Sequence, residues 1–252
     1  YANKNKIIYY TGNPRTSKFK SFFRINNIRK PDVIFSVGYK YLIKSNIFNF
    51  SSIISLNIHG SLLPEYKGRG PLVRSIMNGD LFTGITVHEI DKTCDGGKIL
   101  FQKKIKIPKN YTGSQMLGIF INLYPKIIIK CIEKVKKRNF ILKKQECNNF
   151  IYKEIKQIDR RIDWNADIKT IYDKIRAFSK PFNGSFTIFK NKKIYIDEAK
   201  IIRVHKKLEV ANGSVVRIYK KRIHIIIKNK CLSISLFNSK DYVLFSTNSK
   251  LT

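Results

Sequence analysis

The chain has 252 residues, 43% of them hydrophobic and 12% aromatic, which suits one large globular unit plus a small one and excludes a disordered chain. Lys and Arg together number 50 against 17 Asp and Glu, a net charge of +33 that attracts any phosphate-bearing partner. The basic residues are mostly Lys (38 against 12 Arg) and run along the whole length, and Ile and Asn are heavily used too. That spread fits the codon bias of an AT-rich genome, with a selected polyanion site as the alternative.

No stretch reads as a transmembrane span. The most apolar run, residues 117–129, contains Lys126 and belongs to an amphipathic helix, so no membrane insertion is expected. The start, Tyr1-Ala2-Asn3-Lys4, shows neither an initiator Met nor a signal peptide and reads as a fragment or processed chain of cytoplasmic location. Cys94, Cys131, Cys147 and Cys231 form no CxxC pair and no Cys/His cluster, so reduced thiols and no metal are expected. His205 and His224 lie in Lys-rich strands and read as surface residues.

In chain order, residues 1–30 are polar, with a turn at Gly12-Asn13-Pro14 and a helix predicted over 17–28. Residues 33–37 and 53–57 are continuous apolar runs of the kind buried parallel strands need. A short helix is predicted over 71–77 and strands over 85–90 and 99–107. Thr112-Gly113-Ser114-Gln115 is a capping-box pattern opening a long helix to about residue 138. Strands alternating with helices point to a parallel-sheet α/β unit. Residues 139–158 are polar and irregular and read as a linker. Then come a helix over 167–178 capped by Asn165, and short strands over 185–189, 193–197, 215–219, 223–227 and 231–236, the pattern of a small β-barrel. The division falls into 1–158 and 159–252.

The chemistry concentrates in residues 57–97. A period of two puts Asn57 and His59 on one face at the end of a strand, where α/β crevices hold their ligands. Asp95 sits in a turn, Cys94-Asp95-Gly96-Gly97, after the next strand. Singly, each residue is as well explained by packing or turn formation. Together they make an ordered string: Asn57-Ile58-His59-Gly60-Ser61-Leu62-Leu63-Pro64, then Tyr66-Lys67-Gly68, then Thr83-Gly84-Ile85-Thr86, then Asp95-Gly96-Gly97.

That string resembles the folate-dependent formyltransferase superfamily. The later segments Arg161-Ile162-Asp163-Trp164, Ile175-Arg176-Ala177-Phe178 and Pro181-Phe182-Asn183-Gly184 match the same family, so the resemblance covers most of the chain. It implies a Rossmann-like α/β catalytic domain followed by an OB-like β-barrel domain. The chain reads as lacking the strand–helix–strand with which family members open.

The resemblance implies transfer of a formyl group from 10-formyltetrahydrofolate, as co-substrate and without a metal, to a primary amine. It makes Asn57 the oxyanion donor, His59 the general acid/base and Asp95 the carboxylate that orients the imidazole and favours its protonated form. It places Tyr41, Leu42 and Ile43, and Asp91, Lys92, Thr93, Cys94 and Asp95, along the pterin, makes Ser61, Leu62, Leu63 and Pro64 the loop over the site, and brings Arg69 to the formyl-folate. Gly68-Arg69-Gly70-Pro71 and His88 resemble the members that act on nucleotide-linked amino sugars. Those on initiator methionyl-tRNA usually read otherwise at both places. The acceptor expected is therefore a nucleotide-linked 4-amino sugar, with initiator methionyl-tRNA as the alternative and a non-catalytic RNA-binding protein as a third. A homodimer is left open.

Overall fold

Two apolar runs, β1 (Val33–Val37) and β2 (Ile54–His59), lie side by side in parallel, with Val33 against Ile54 and Ser36 against Asn57. The computed structural model describes residues 2, 4–13, 16–39, 41–138, 140–146, 150–204 and 209–251. Pro14 of the first turn, Asn139 of the linker, Cys147 and His205 lie outside the described residues.

Strands β3 (Phe82–Glu89) and β4 (Ile99–Lys106) complete a four-stranded sheet in the order β1-β2-β3-β4. Both join it antiparallel, so the expected parallel sheet is mixed. Between β3 and β4 the cause is chain length: residues 90–98 are too few for the crossover that parallel neighbours need. β2 is covered on both faces: Ile54, Leu56 and Ile58 pack on one, and Ser55 and His59 are buried on the other, the face that also carries Asn57.

Helix α1 (Ser17–Ile25) stops three residues short of the predicted end, and α2 (Ser45–Phe48) is a single turn. Helix α3 (Pro71–Met77) opens with Pro, whose missing N–H is no loss in a first turn. Helix α4 (Gly113–Lys136) starts at the predicted capping box: Thr112 Oγ1 accepts from the Gln115 amide at 3.3 Å, and Gln115 Oε1 accepts from the Thr112 amide at 2.9 Å. By length and composition α4 is long and apolar enough to cross a membrane; here Met116, Phe120, Ile127, Cys131 and Val135 pack into the first core. Leu72, Val73 and Ile76 of α3 meet them there, over Leu56, Ile85, Val87 and Leu100 of the sheet.

Helix α5 (Ile168–Ala177) is capped by Asp167, whose carboxylate accepts from the Lys169 amide at 3.0 Å. The predicted cap, Asn165, instead gives its own amide to Asp163 in the preceding turn. Strands β5 (Ser185–Phe189), β6 (Lys192–Ile202), β7 (Ser214–Tyr219), β8 (Arg222–Ile227) and β9 (Lys230–Leu236) form one antiparallel sheet, ordered β5-β6-β9-β8-β7. Three two-residue turns, Lys190-Asn191, Lys220-Lys221 and Lys228-Asn229, have positive φ at both positions, the I′ geometry that suits twisted hairpins.

The inner face of this sheet and α5 enclose a second core containing Ile162 and Trp164, whose Nε1 donates to Thr187 Oγ1 at 2.9 Å. His224, expected at the surface, is half-buried in β8, and that burial lowers its pKa. Cys94, Cys131 and Cys231 are free thiols.

Candidate active site

Asn57 and His59 project from the same face of β2, and the register of β2 against β3 sets His88 directly opposite Asn57 and Thr86 opposite His59. Cross-strand partners share a face and stand close enough for short side chains to touch. Thr86 secures the loop that leaves β2: its hydroxyl donates to the Ser61 carbonyl at 2.6 Å and accepts from the Leu63 amide at 3.1 Å. Gly84 lets that loop approach, since a Cβ there would collide with Leu62 and the Lys103 carbonyl. Gly97 has the same role beyond Asp95, where a Cβ would strike the Glu89 carbonyl.

Asp95 holds φ +52 in its turn and faces Asn57, His59 and His88. Its Oδ2 lies 3.6 Å from His59 Nδ1 and accepts from the Gly68 amide at 2.8 Å. Its Oδ1 lies 3.4 Å from Asn57 Nδ2 and 3.5 Å from His88 Nε2. Asn57 Nδ2 is also 3.1 Å from His88 Nε2. The three predicted site residues are therefore brought together, with His88 as a fourth member.

Tyr66 contributes its backbone. At φ +55 its carbonyl points at His59 Nε2, 3.0 Å away, while its phenol donates to Asp80 at 2.6 Å and keeps the turn in place. A carbonyl can only accept, so His59 Nε2 carries a proton and Nδ1 is the nitrogen facing Asp95. Burial is the largest influence on His59 and lowers its pKa; Asp95 and the Tyr66 carbonyl pull upward without overcoming it. Asp95 does favour the protonated ring, as expected, but burial outweighs the carboxylate and the net shift is downward. Burial also acts most strongly on Asp95, upward, but His88, the charge of His59 and the Gly68 amide together bring its carboxyl down to about 2.

These groups line a crevice of about 470 Å³, within the range of small-ligand sites. Tyr41, Leu42 and Ile43 line it, as do Arg69, Asp91, Thr93 and Cys94. Two predicted groups do not. Lys92 faces a neighbouring cleft beside Phe48 and Ser51, because the chain reverses at Asp91, whose carboxylate takes the Thr93 amide. Ser61, Leu62, Leu63 and Pro64 are not among the residues lining the crevice; hydrogen bonds to Thr86 of β3 and Gln102 of β4 draw this loop down onto the sheet. Among the described residues no group of three or more His, Cys, Asp or Glu could hold a metal ion.

Residues 13–132 match the formyl transferase family, and residues 154–242 match the formyl transferase C-terminal domain. The chain belongs to the formyl transferase family. It is 34% identical over 201 residues to the bifunctional polymyxin resistance protein ArnA of Wigglesworthia glossinidia brevipalpis, covering 79% of this chain and 30% of that protein. It is 30% identical over 211 residues to methionyl-tRNA formyltransferase of Caldicellulosiruptor saccharolyticus, covering 83% of this chain and 67% of that one. Among solved structures its fold resembles WlaRD, a sugar 3N-formyl transferase determined with dTDP and 5-N-formyl-THF, at a TM-score of 0.66 and 24% identity over 87% of this chain and 81% of that one.

In this member of the formyl transferase family, sequence reasoning missed what closes the crevice. Leu117, Phe120 and Tyr124 of α4 and Phe182 of the second half form its apolar wall. The linker is also more than a spacer. Gln145 Nε2 donates to the Asp95 and Gly97 carbonyls at 2.8 and 2.7 Å, and Tyr152 pairs with Lys67 and Arg69 through the backbone. Arg74 lies 4.5 Å over the Tyr152 ring and donates to the Lys153 carbonyl. A polar stretch without periodicity carries no signal for such a strap.

Proposed function

We propose that the protein transfers the formyl group of 10-formyltetrahydrofolate to the primary amine of a nucleotide-linked 4-amino sugar. The observation that carries the formyl-transfer reading is the convergence of Asn57, His59 and Asp95 in one crevice, with Asp95 within 3.6 Å of both partners. His59, kept neutral by burial, takes the proton of the attacking amine at Nδ1, the nitrogen left bare when Nε2 donates to the Tyr66 carbonyl. Asp95 Oδ2 stabilises the imidazolium so formed, which then returns the proton to the departing folate nitrogen. Asn57 donates an N–H to the tetrahedral oxyanion, a contribution of about 10²–10³ in rate for donors of this kind.

Tyr41, Leu42 and Ile43, with Asp91, Thr93 and Cys94, supply a wall for the folate, and Arg69 lines the same crevice. The catalytic part is assigned to residues 1–158 and the accessory β-domain to 159–252. The sugar acceptor is supported by His88 and by the Gly68-Arg69-Gly70-Pro71 loop, both lining the crevice, and by the likeness to ArnA and WlaRD. A second reading, formylation of initiator methionyl-tRNA, is favoured by the +33 charge and by the relatives that bear that name.

The test is formylation assayed with UDP- and dTDP-linked 4-amino sugars and with initiator methionyl-tRNA. Turnover of an amino sugar, reduced about 10²–10⁴-fold in His59→Ala, is the expected result. Undiminished turnover in the His59→Ala protein overturns the mechanism, and turnover of methionyl-tRNA alone overturns the acceptor.

A further inference from the structure

We propose that His88 is a positioning residue that locks the orientation of the Asn57 amide, so that an N–H and never the amide oxygen is available to the reacting carbonyl. The argument is one of hydrogen-bond polarity. His88 Nδ1 lies 2.8 Å from the Glu89 carbonyl, a partner that can only accept, so Nδ1 carries the proton. In the neutral ring Nε2 is then a bare lone pair, with Asp95 Oδ1 3.5 Å away; the hydrogen bond from His88 that helps hold Asp95 down belongs to the charged ring alone. That lone pair sits 3.1 Å from Asn57 Nδ2, and the second acceptor near Nδ2 is Asp95 Oδ1 at 3.4 Å.

Two acceptors therefore face the same end of the amide. Turning the amide over would press its oxygen against a lone pair and a carboxylate at once, so only the amino end fits. The closer contact, to His88, anchors one hydrogen of Nδ2; the longer one, to Asp95, leaves the second hydrogen as the donor that a developing oxyanion can draw away. Without the anchor the amide is free to rotate and offers an acceptor where a donor is needed. The position is fixed by register, since His88 is the cross-strand partner of Asn57, and the imidazole is buried, so water does not compete for Nε2.

This inference rests on the formyl-transfer reading for its kinetic arm but not for its structural one. In the protein labelled with ¹⁵N, His88 should show a pyrrole-like Nδ1 and a pyridine-like Nε2 at neutral pH, with one Asn57 side-chain hydrogen protected from exchange. That protection should vanish in His88→Met, which keeps an apolar side chain of similar reach but has no ring nitrogen. In steady-state kinetics His88→Met should lower kcat by about 10²-fold, in line with loss of one oriented donor, with KM for both substrates changed less than about threefold.

A general packing role could also slow the enzyme, and a double-mutant cycle separates the two. In an Asn57→Ala background His88→Met should cost less than about twofold, because there is no amide left to orient. An Nε2-protonated tautomer in the wild-type ring, or an undiminished cost in the Asn57→Ala background, overturns the proposal. If no amine is formylated at all, the functional reading fails, and the ring nitrogens and the Asn57 exchange decide this inference alone.

Discussion

At the residue scale the decisive contest is between burial and charge at His59. Burial wins and depresses its pKa, so the folded protein binds fewer protons there than the unfolded chain, whose His titrates near 6.5. Two consequences follow. The acidic limb of kcat/KM should lie below pH 6.5, since the neutral ring is the reactive form, and a limb above 6.5 would mean that Asp95 dominates after all. Asp95 is depressed as well, from 3.8 to about 2, so its stabilising effect is complete above the unfolded value and is lost as pH falls through that window. The shift corresponds to about 2 kcal/mol. Both groups therefore make stability rise with pH, Asp95 between about 2 and 4 and His59 below about 6.5. Asp95→Asn should flatten the lower part of a plot of unfolding free energy against pH and, by removing the charge that pulls the His59 pKa upward, extend the upper part to lower pH, which is read by denaturant titration. The charge of His59 that helps hold Asp95 down exists only once His59 has protonated; the Gly68 amide at 2.8 Å is the partner present at every pH.

At the scale of elements, local chemistry and tertiary position separate cleanly. The capping box at Thr112 depends on residues three apart, and the helix begins where they specify. Thr112→Ala should cost about 1 kcal/mol in denaturant unfolding, with activity kept; a change within error would mean that tertiary packing of Met116 and Phe120 alone holds the first turn. The apolar runs of β1 and β2 were legible for the same reason, and so was the pairing of Asn57 with His59, which is a matter of period two. Strand direction was legible only between β3 and β4, where residues 90–98 are too few for a crossover; for β2 against β3 composition does not distinguish a strand that enters parallel from one that enters antiparallel. His88 shows the same limit. It could be seen as a motif variant, but only the register of β2 against β3 brings it to Asn57. The loop of residues 61–64 lies elsewhere than its motif suggests, because the motif does not reveal that Thr86 and Gln102 draw it onto β3 and β4. The linker was opaque altogether. Gln145 bonds the carbonyls on either side of Gly96, so it fixes a turn whose central purpose is to aim Asp95. Gln145→Ala should lower kcat by about tenfold through misplacement of that carboxylate, with far-UV circular dichroism unchanged; wild-type kcat would reduce the strap to a spacer.

For the whole molecule the question is what a charge of +33 is for. Lysines occupy both central positions of one hairpin turn in the second half and the first position of two others, where positive φ disfavours any residue with a Cβ. Glycine or asparagine would be better accommodated there, so the lysines are tolerated at a small cost in stability, and codon bias explains this without invoking a ligand. A polyanion site would concentrate charge beside the crevice, yet Arg69 is the one Lys or Arg among the described crevice-lining residues. A nucleotide-linked sugar carries a single diphosphate, and a few cations suffice to meet it. A tRNA presents many phosphates, and six to ten contacts would make affinity fall by about 10³–10⁵ between 50 and 200 mM salt. The Michaelis constant for the amino sugar should therefore change less than about tenfold over that range, the mark of few phosphate contacts. RNA of any sequence should bind loosely, release with the steep salt slope of scattered lysines, and compete only weakly with the sugar. A steep slope in the Michaelis constant of the productive acceptor would show that the charge contributes to substrate recognition, and would move the assignment to initiator methionyl-tRNA.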